Sequence, residues 1–397
     1  MVESVKKEQE RFMTGEEILF ALFRSGICGE TLSQTYKDQI TPKVLARVYK
    51  ESKAHDLAHL ACEVLDSNGL LSENTPYAEK FYYERQLAVC RFEQIDYEYK
   101  ALLEVLEEAK IPYLPLKGAI TRAYYPQPWM RTSCDIDILV KPEDIQTAIA
   151  ALETKLGYKQ SGKTAHDVSL YSVGGVHVEL HHVLIEEAGE AQNVLANVWD
   201  YTTPMEGKTY GRQMQDETFY FYHIAHMAKH FSGGGCGVRP FIDLWLLDNR
   251  VAHDTAKRDL LLKEGGLLPF AEAMRKLSRV WLSGEEHDEL TRRIQPYVCK
   301  GGVYGNLENR VAMQQVKQGG EFRYAMSRIF LPYDQLKLQY PVLERKKWLT
   351  PVCEVRRWCR LLFCGRAKHS VRELNVNANM TEERKAEIAQ LLADLAL

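Results

Sequence analysis

The sequence lacks several features that would assign it to a special class of protein. Its 397 residues include no uninterrupted apolar run near the roughly 18 residues that span a bilayer, no low-complexity tract and no internal repeat. Glycine (25) and proline (14) are too few for a collagen-like or disordered chain. With 45% hydrophobic residues, we expect a soluble, packed protein of two or three domains.

An excess of either charge is also lacking. The 51 Lys+Arg and 54 Asp+Glu leave a formal net charge of −3. The molecule as a whole therefore has no electrostatic attraction to nucleic acids or acidic membranes. A nucleic-acid acceptor is not indicated by this charge, and any site for anions must be local.

Closely spaced cysteine pairs of the zinc-finger type are absent. Nine cysteines are scattered singly, at positions 28, 62, 90, 134, 236, 299, 353, 359 and 364, which favours reduced thiols. The first twelve residues, MVESVKKEQERF, have no apolar core of the kind found in secretory signals. We therefore expect a cytoplasmic protein.

The hydrophobic pattern changes twice along the chain. Helical spacing dominates up to about residue 110, including one long stretch from Pro42 to Leu65. Short apolar runs then alternate with helical segments between residues 113 and 182, and helical spacing returns from Asp216. These changes predict an N-terminal helical section (1–92), a central core with a small mixed sheet (93–214) and a C-terminal helical domain (215–397), an α+β fold.

The run from Asp135 to Val140 carries the strongest signal for chemistry. Strand alternation places Asp135 and Asp137 on one face and Ile136 and Ile138 on the other. Two adjacent carboxylates repel each other, and a divalent cation with a preference for oxygen ligands removes that repulsion. The pattern favours a Mg²⁺ site, and a solvated strand end is the alternative.

Upstream, the segment Lys117-Gly118-Ala119 links an apolar run that ends at Leu116 to a helical segment. Backbone N–H groups at such a turn can bind an anion, and Lys117 adds a positive charge. The sequence therefore predicts a phosphate-binding turn. The alternative is a glycine that only permits a tight connection.

A third polar face is predicted downstream. In the run from Val176 to His181, alternation places His177, Glu179 and His181 opposite the apolar residues. Glu179 is then a candidate third carboxylate, able to bind metal or accept a proton. A half-exposed strand with a polar face is the alternative interpretation.

Taken together, these motifs resemble those of the nucleotidyltransferase superfamily that includes polymerase β and the aminoglycoside nucleotidyltransferases. More narrowly, the chain resembles a bacterial group of nucleotidyltransferase family proteins, from about Glu93 to Phe363. The resemblance is carried by Leu116-Lys117-Gly118, Tyr124-Tyr125-Pro126, Arg131-x-x-x-Asp135-x-Asp137 and Glu179, and by the segments His223–His230, Gly237–Asp243 and Tyr340 to Arg360.

The resemblance implies a polymerase-β-like core in which Asp135, Asp137 and Glu179 hold two Mg²⁺ ions, with Mn²⁺ as the alternative ion. It also implies an NTP substrate, first of all ATP, with Lys117 and the Gly118 turn on its phosphates and Arg131 neutralising charge. One position departs from the superfamily, which usually has serine after the glycine where this chain has Ala119.

Three histidines fall on one face of a predicted helix, His223, His226 and His230. The first and last are two turns, about 10 Å, apart, which argues against one zinc ion bound by all three. We predict instead a polar wall of the cleft that contacts phosphate or acceptor, made of His226, Lys229, His230 and Arg239. A helix with ordinary packed histidines is the alternative.

The segment from Glu344 to Arg372 is strongly basic. Nine Lys+Arg stand against two acids, and Trp348 and Trp358 lie among them. Such a segment can bind an anionic acceptor such as RNA, a lipid headgroup or an acidic protein, or it can be a solvated helix face.

The function predicted from these features is metal-dependent transfer of a nucleotidyl group from an NTP to an unidentified acceptor hydroxyl or phosphate, with release of pyrophosphate. Two alternatives remain open at this stage. One is a nucleotide-binding protein without activity, consistent with Ala119, and the other is a sugar-nucleotide glycosyltransferase that uses its Asp-x-Asp motif.

Overall fold

The structure, a computed structural model, describes residues 13–185, 189–363 and 367–397. The first twelve residues, which were predicted not to be a secretory signal, lie outside these ranges, as do Cys364 and Arg366. In the part of the chain that is described, no helix combines the length and hydrophobicity needed to cross a membrane.

Five α-helices are found in the described part of the N-terminal section, and a π-helical segment, Arg24–Cys28, follows the first of them. The α-helices are α1 Gly15–Phe23, α2 Gln34–Asp38, α3 Pro42–Ala54, α4 Ala58–Ser67 and α5 Ala78–Glu108. Thr14 caps α1, since its hydroxyl accepts from the N–H of Glu17 and the Glu17 carboxylate accepts from the N–H of Thr14. The prediction of one long helical stretch over 42–65 was wrong, because the chain turns at Asp56 with φ +56°.

Seven strands are found among the described residues in the middle of the chain. They are β1 Tyr113–Pro115, β2 Asp135–Val140, β3 Lys159–Lys163, β4 Asp167–Tyr171, β5 His177–His181, β6 Thr202–Pro204 and β7 Arg212–Met214. The first five form one sheet in the order β1-β2-β5-β4-β3, and β6 pairs with β7. Only β2 and β5 are parallel neighbours, so the sheet is mixed, as predicted. Strands β4 and β5 form a hairpin that turns at Gly174-Gly175, where Gly175 has φ +82°.

Three helices connect these strands, α6 Gly118–Thr121, α7 Ile145–Leu156 and α8 Glu190–Leu195. The helix expected to begin near Ala119 is a single turn, followed by the 3₁₀ turns Arg122–Tyr124 and Pro128–Met130. Helix α7 begins three residues after Pro142, because residues 142–144 form a turn.

Eleven α-helices follow in the described ranges. They are α9 Asp216–Ser232, α10 Arg239–Arg250, α11 Thr255–Glu264, α12 Leu268–Ser283, α13 Glu289–Cys299, α14 Leu307–Gln318, α15 Glu321–Ile329, α16 Tyr333–Gln339, α17 Thr350–Phe363, α18 Ala367–Ala378 and α19 Glu382–Asp394. The prediction that the C-terminal part is helical is confirmed.

The buried side chains form two main cores. One combines N-terminal and C-terminal helices, and Phe20 of α1 stacks on Trp281 of α12 with ring centroids 4.4 Å apart. The other joins the apolar face of the sheet, with Ile138 and Val178, to Leu102 of α5 and Ala148 of α7. Helix α5 runs through the predicted boundary at residue 92, and the division into three domains stays a prediction. The α+β class is confirmed.

Candidate functional site

The pairing of β2 with β5 brings the predicted carboxylates together. In this parallel register Asp135 lies beside His177 and Asp137 beside Glu179, while Ile136 and Ile138 are buried on the opposite face. Neighbouring strands are about 4.8 Å apart, so paired side chains on one face are in reach of one another. The three acids predicted as metal ligands therefore share one polar surface.

His181 connects two of these acids. Its Nε2 lies 3.1 Å from Asp137 Oδ1 and 3.4 Å from Glu179 Oε2. Burial lowers the pKa of His181, but the bonds to the two carboxylates outweigh it and raise the pKa to about 9. Burial raises the pKa of Asp137, but the hydrogen bond from His181 and the charge of Lys117 bring it down to about 2.

The pKa of Asp135 shifts in the opposite direction to that of Asp137. Burial, together with repulsion from Asp137 and Glu179, raises the pKa of Asp135 to about 6. The atoms that could bind a cation are close together in two overlapping groups, Asp135–His177–Glu179 and Asp137–Glu179–His181, each within 4.8 Å. The polar face is thus a candidate metal centre with a concentration of negative charge.

Lys117 lies beside this acidic surface, at the end of β1. The N–H of Leu116 donates to the carbonyl of Asp137 (3.0 Å), which ties the turn to β2. Burial lowers the pKa of Lys117 to about 8, against the attraction of Asp137 and Asp135. Its Nζ lies 5.4 Å from the ring centre of Tyr222 on α9, so this helix faces the acidic surface.

The glycine of the predicted phosphate turn is closely packed. A Cβ added to Gly118 would lie 3.1 Å from Arg131 Nη1, 3.6 Å from Ser133 Cβ and 3.7 Å from Ser133 Oγ. Arg122 braces the turn, since its Nε donates to the carbonyl of Gly118 and its Nη2 to Ser133 Oγ. Helix α6 is only one turn long, so any anion binding here rests on the turn and its side chains rather than on a helix dipole.

Arg131 is held by a buried ion pair that the sequence did not reveal. Its Nε and Nη2 donate to the carboxylate of Asp243 on α10, at 2.9 and 2.8 Å, and the Tyr125 hydroxyl donates to the same carboxylate. Arg131 is 8% exposed and Asp243 2%. The segment Gly237–Asp243 was part of the resemblance, but no spacing rule connects Asp243 to a residue 112 positions earlier.

The predicted polar wall lies on α9. The Nε2 atoms of His226 and His230 are 2.9 Å apart, so one ring donates to the other. Burial and the nearby charges of Lys117 and Lys229 lower the pKa of His230 to about 4. His223 instead bonds the carbonyl of Pro240, and among the described residues none of the three histidines joins a metal-binding group.

Arg239, at the start of α10, contacts the N-terminal section. Its Nη2 donates to Asp56 Oδ2 (2.8 Å), and the hydroxyl of Thr132 donates to the same oxygen (2.8 Å). Arg239 Nε is buried and has no hydrogen-bond partner in the described ranges. Asp56 was missed from sequence because its role depends on the left-handed turn between α3 and α4.

The basic segment from Glu344 to Arg372 lies in and around α17 and α18. Arg357 is buried and paired with Glu354, whereas Arg345, Lys346 and Lys347 are exposed. Trp348 is also exposed, and the indole of Trp358 donates to the carbonyl of Ile329. Arg366 and the side chain of Lys368 lie outside the described residues, and binding by this segment stays a prediction.

Comparison with known proteins gives one result. A family model described as an uncharacterised nucleotidyltransferase matches residues 43–283, which include every residue of the candidate site. No curated protein and no solved structure matches the chain.

Proposed function

The chain belongs to this family of uncharacterised nucleotidyltransferases, and on that premise we propose that it moves an NMP from an NTP to an acceptor hydroxyl or phosphate and releases pyrophosphate. The observation that supports this most is the in-register pairing of Asp137 with Glu179, beside Asp135 and Lys117. A surface of three carboxylates next to a half-buried cation is suited to a metal-bound triphosphate.

The donor atoms of this surface fit a hard cation. Asp135, Asp137 and Glu179 offer carboxylate oxygens, the ligands that Mg²⁺ prefers, and the raised pKa of Asp135 reflects their mutual repulsion. We propose that these three residues hold two Mg²⁺ ions, with Mn²⁺ as the alternative. When bound, such ions neutralise phosphate charge that develops during transfer.

The remaining residues act on the phosphates. We assign Lys117 and the turn at Gly118 and Ala119 to the β- and γ-phosphates. Two nitrogens of Arg131 donate to Asp243, and the third, Nη1, lies against the turn at Gly118. The Arg131 guanidinium therefore adds positive charge beside this turn. Lys229, His230 and Arg239 are assigned to the side of the cleft that contacts phosphate or acceptor.

The proposed reaction is a single displacement of pyrophosphate at the α-phosphorus. The acceptor oxygen forms a bond to the α-phosphorus, and the bond from that phosphorus to the oxygen bridging to the β-phosphorus breaks. Pyrophosphate leaves with the bridging oxygen, and Glu179 accepts the proton of an acceptor hydroxyl. ATP is the first NTP expected.

One observation supports a second candidate function, nucleotide binding without transfer. Ala119 supplies no hydroxyl where the superfamily usually has serine. Ser133 Oγ is near the same turn, but it comes from the loop before β2 and is already bonded by Arg122. The match to a family described as an uncharacterised nucleotidyltransferase favours nucleotidyl transfer over the glycosyltransferase alternative.

The test is pyrophosphate release by the full chain with Mg²⁺, each of the four NTPs and acceptor fractions of small molecules, proteins or RNA. We expect release that requires one NTP and one fraction. Asp137→Asn should lower it at least about 100-fold, the order lost when a group that stabilises transition-state charge is removed. Asp334→Asn, at an exposed aspartate of α16, is the matched control and should leave the rate unchanged.

The remaining outcomes separate the two candidates. NTP–Mg²⁺ binding without release in any fraction would support the binding protein and reject the transferase. Full activity in a folded Asp137→Asn variant would reject the assigned site.

A further inference from the structure

A second group of metal-binding side chains lies where β4 begins and β5 ends. Asp167 of β4 is directly opposite His181 of β5, and His166 precedes Asp167 in the turn. One nitrogen or oxygen from each residue lies within 4.8 Å of the other two. The side chains of His166, Asp167 and His181 are 19%, 5% and 12% exposed, so the group is largely shielded from water.

One of the two carboxylate oxygens of Asp167 lacks a hydrogen-bond partner among the described residues. Its Oδ2 lies 2.9 Å from His166 Nε2, while its Oδ1 is buried without a hydrogen-bond partner among the described residues. A buried carboxylate oxygen without a partner costs free energy, because its hydration is lost and not replaced. A bound cation would supply the missing interaction.

The His166 ring is held in place by its neighbours. Its Nδ1 lies 2.9 Å from Thr164 Oγ1, and the same hydroxyl oxygen accepts from the N–H groups of His166 and Asp167. The N–H of His182 donates to the carbonyl of His166 (2.9 Å), which joins the turn to the end of β5. Such bonds to the far side of the imidazole orient metal-ligating histidines, and here they direct Nε2 toward Asp167.

We propose that His166, Asp167 and His181 form a binding site for one Zn²⁺-type ion, separate from the carboxylate surface assigned to Mg²⁺. Two imidazoles and one carboxylate are a donor set of zinc and similar transition metals, whereas the all-oxygen set of Asp135, Asp137 and Glu179 suits Mg²⁺. This proposal does not depend on the proposed nucleotidyl transfer.

The dimensions fit such an ion. With metal–nitrogen distances of about 2.0–2.1 Å, ligand atoms of a tetrahedral site lie about 3.3 Å apart, so the present group, whose atoms lie within 4.8 Å, must draw together by at most about 1.5 Å. Three protein ligands leave a fourth position open. His181 also contacts Asp137, so an ion here would fix a ring that orients the carboxylate surface.

The test is metal retention by the full-length chain. Chelator-treated protein is dialysed against Zn²⁺ in excess Mg²⁺ and its zinc content is measured, and Co²⁺ is used in parallel because its visible absorption reports tetrahedral ligation. We expect one Zn²⁺ per chain. His166→Asn and Asp167→Asn should weaken binding by more than the roughly 10- to 100-fold lost when a residue that only supports a ligand is removed.

His177→Asn and Asp135→Asn are the matched controls, because both residues belong to a candidate group that excludes His166 and Asp167. They should retain zinc. The proposal is overturned if the wild-type chain retains none, or if these controls lose as much zinc as His166→Asn. His166 is the more exposed ligand, so its variant remains informative if Asp167→Asn fails to fold.

The readout separates this proposal from the proposed function. A chain that retains zinc in the expected pattern but transfers no nucleotide contradicts only the transferase. A chain that transfers nucleotide but retains no zinc contradicts only this site.

Discussion

At the scale of single residues, Asp243 fixes the position of Arg131 beside the proposed phosphate turn. It accepts hydrogen bonds from two nitrogens of Arg131 and from the hydroxyl of Tyr125, and none of the three residues is more than 8% exposed. A pair of this kind fixes geometry, and its removal leaves the partner charge buried and unpaired.

We therefore expect Asp243→Ala to lower the free energy of unfolding by about 3–5 kcal/mol, measured by urea denaturation. Glu285→Ala is the control, since its partners Lys276 and Arg279 are 29% and 39% exposed; it should cost no more than about 1 kcal/mol. Replacing both members of the buried pair, Arg131→Met with Asp243→Leu, should cost less than Asp243→Ala alone. Equal losses for the buried and the exposed pair would contradict this account.

Gly118 gives a second prediction at this scale. A methyl group there would press on Arg131 Nη1 at 3.1 Å, and Arg131 cannot move away easily because Asp243 holds it. We expect Gly118→Ala to weaken NTP binding, measured by calorimetry, and to destabilise the fold by about 1–3 kcal/mol.

Gly162→Ala is the matched control for this substitution. Gly162 lies in the exposed strand β3, and a Cβ there meets nothing within 4 Å. Unchanged NTP affinity in Gly118→Ala would show that the turn does not hold phosphate.

At the scale of elements, two glycine-containing loops meet backbone to backbone. The loop after α9 and the loop after α13 are joined by hydrogen bonds from Gly237 N to Val303 O and from Asn306 N to Gly234 O. A Cβ on Gly305 would lie 2.2 Å from the carbonyl oxygen of Gly234. The tertiary structure shows that these two loops touch, although they are about 65 positions apart in the chain.

We expect Gly305→Ala to destabilise the protein by several kcal/mol, because it combines a left-handed φ of +71° with a clash against backbone. Gly284→Ala is the control, since Gly284 has φ +70° and open space around it. It should cost only about 1–2 kcal/mol, the conformational part. Thermal denaturation measures both, and similar losses would contradict the steric argument.

At the scale of the whole molecule, buried histidines couple stability to pH. Burial is the main cause that lowers the pKa of His55, His59, His223, His226 and His230. His59 has a pKa of about 4 in the folded chain, and its Nε2 donates to the carbonyl of Met130. Each of these histidines favours folding while neutral, because the buried site excludes the charged form.

For His59 the folded-state pKa lies below the ordinary 6.5, so its contribution is complete above pH 6.5 and is lost as the pH falls toward 4. The full loss is about 3 kcal/mol. We expect His59→Gln, which keeps a donor for Met130, to lose less stability than the wild type between pH 7 and pH 4 in urea unfolding. Identical pH profiles would contradict this assignment.

Much of the fold could be predicted from the sequence because its signals are local. The run from Asp135 to Val140, which alternates up to Ile138 and continues with two apolar residues, predicted the bounds of β2 and the shared face of its two acids. The break between α3 and α4 was missed, because nothing in the pattern of apolar residues marks the left-handed turn at Asp56. The single-turn length of α6 was missed for a similar reason, since no proline or glycine follows it before Pro126.

The sequence by itself determined the α+β class, the strand that carries Asp135 and Asp137, the polar face of β5 and the family resemblance, because alternation and turn residues act over a few positions. Only the tertiary structure decided that Asp137 pairs with Glu179, that Asp243 holds Arg131 and that Asp167 meets His181. These contacts join residues from 14 to 112 positions apart, and their partners are chosen by strand register and helix packing, which no local pattern encodes.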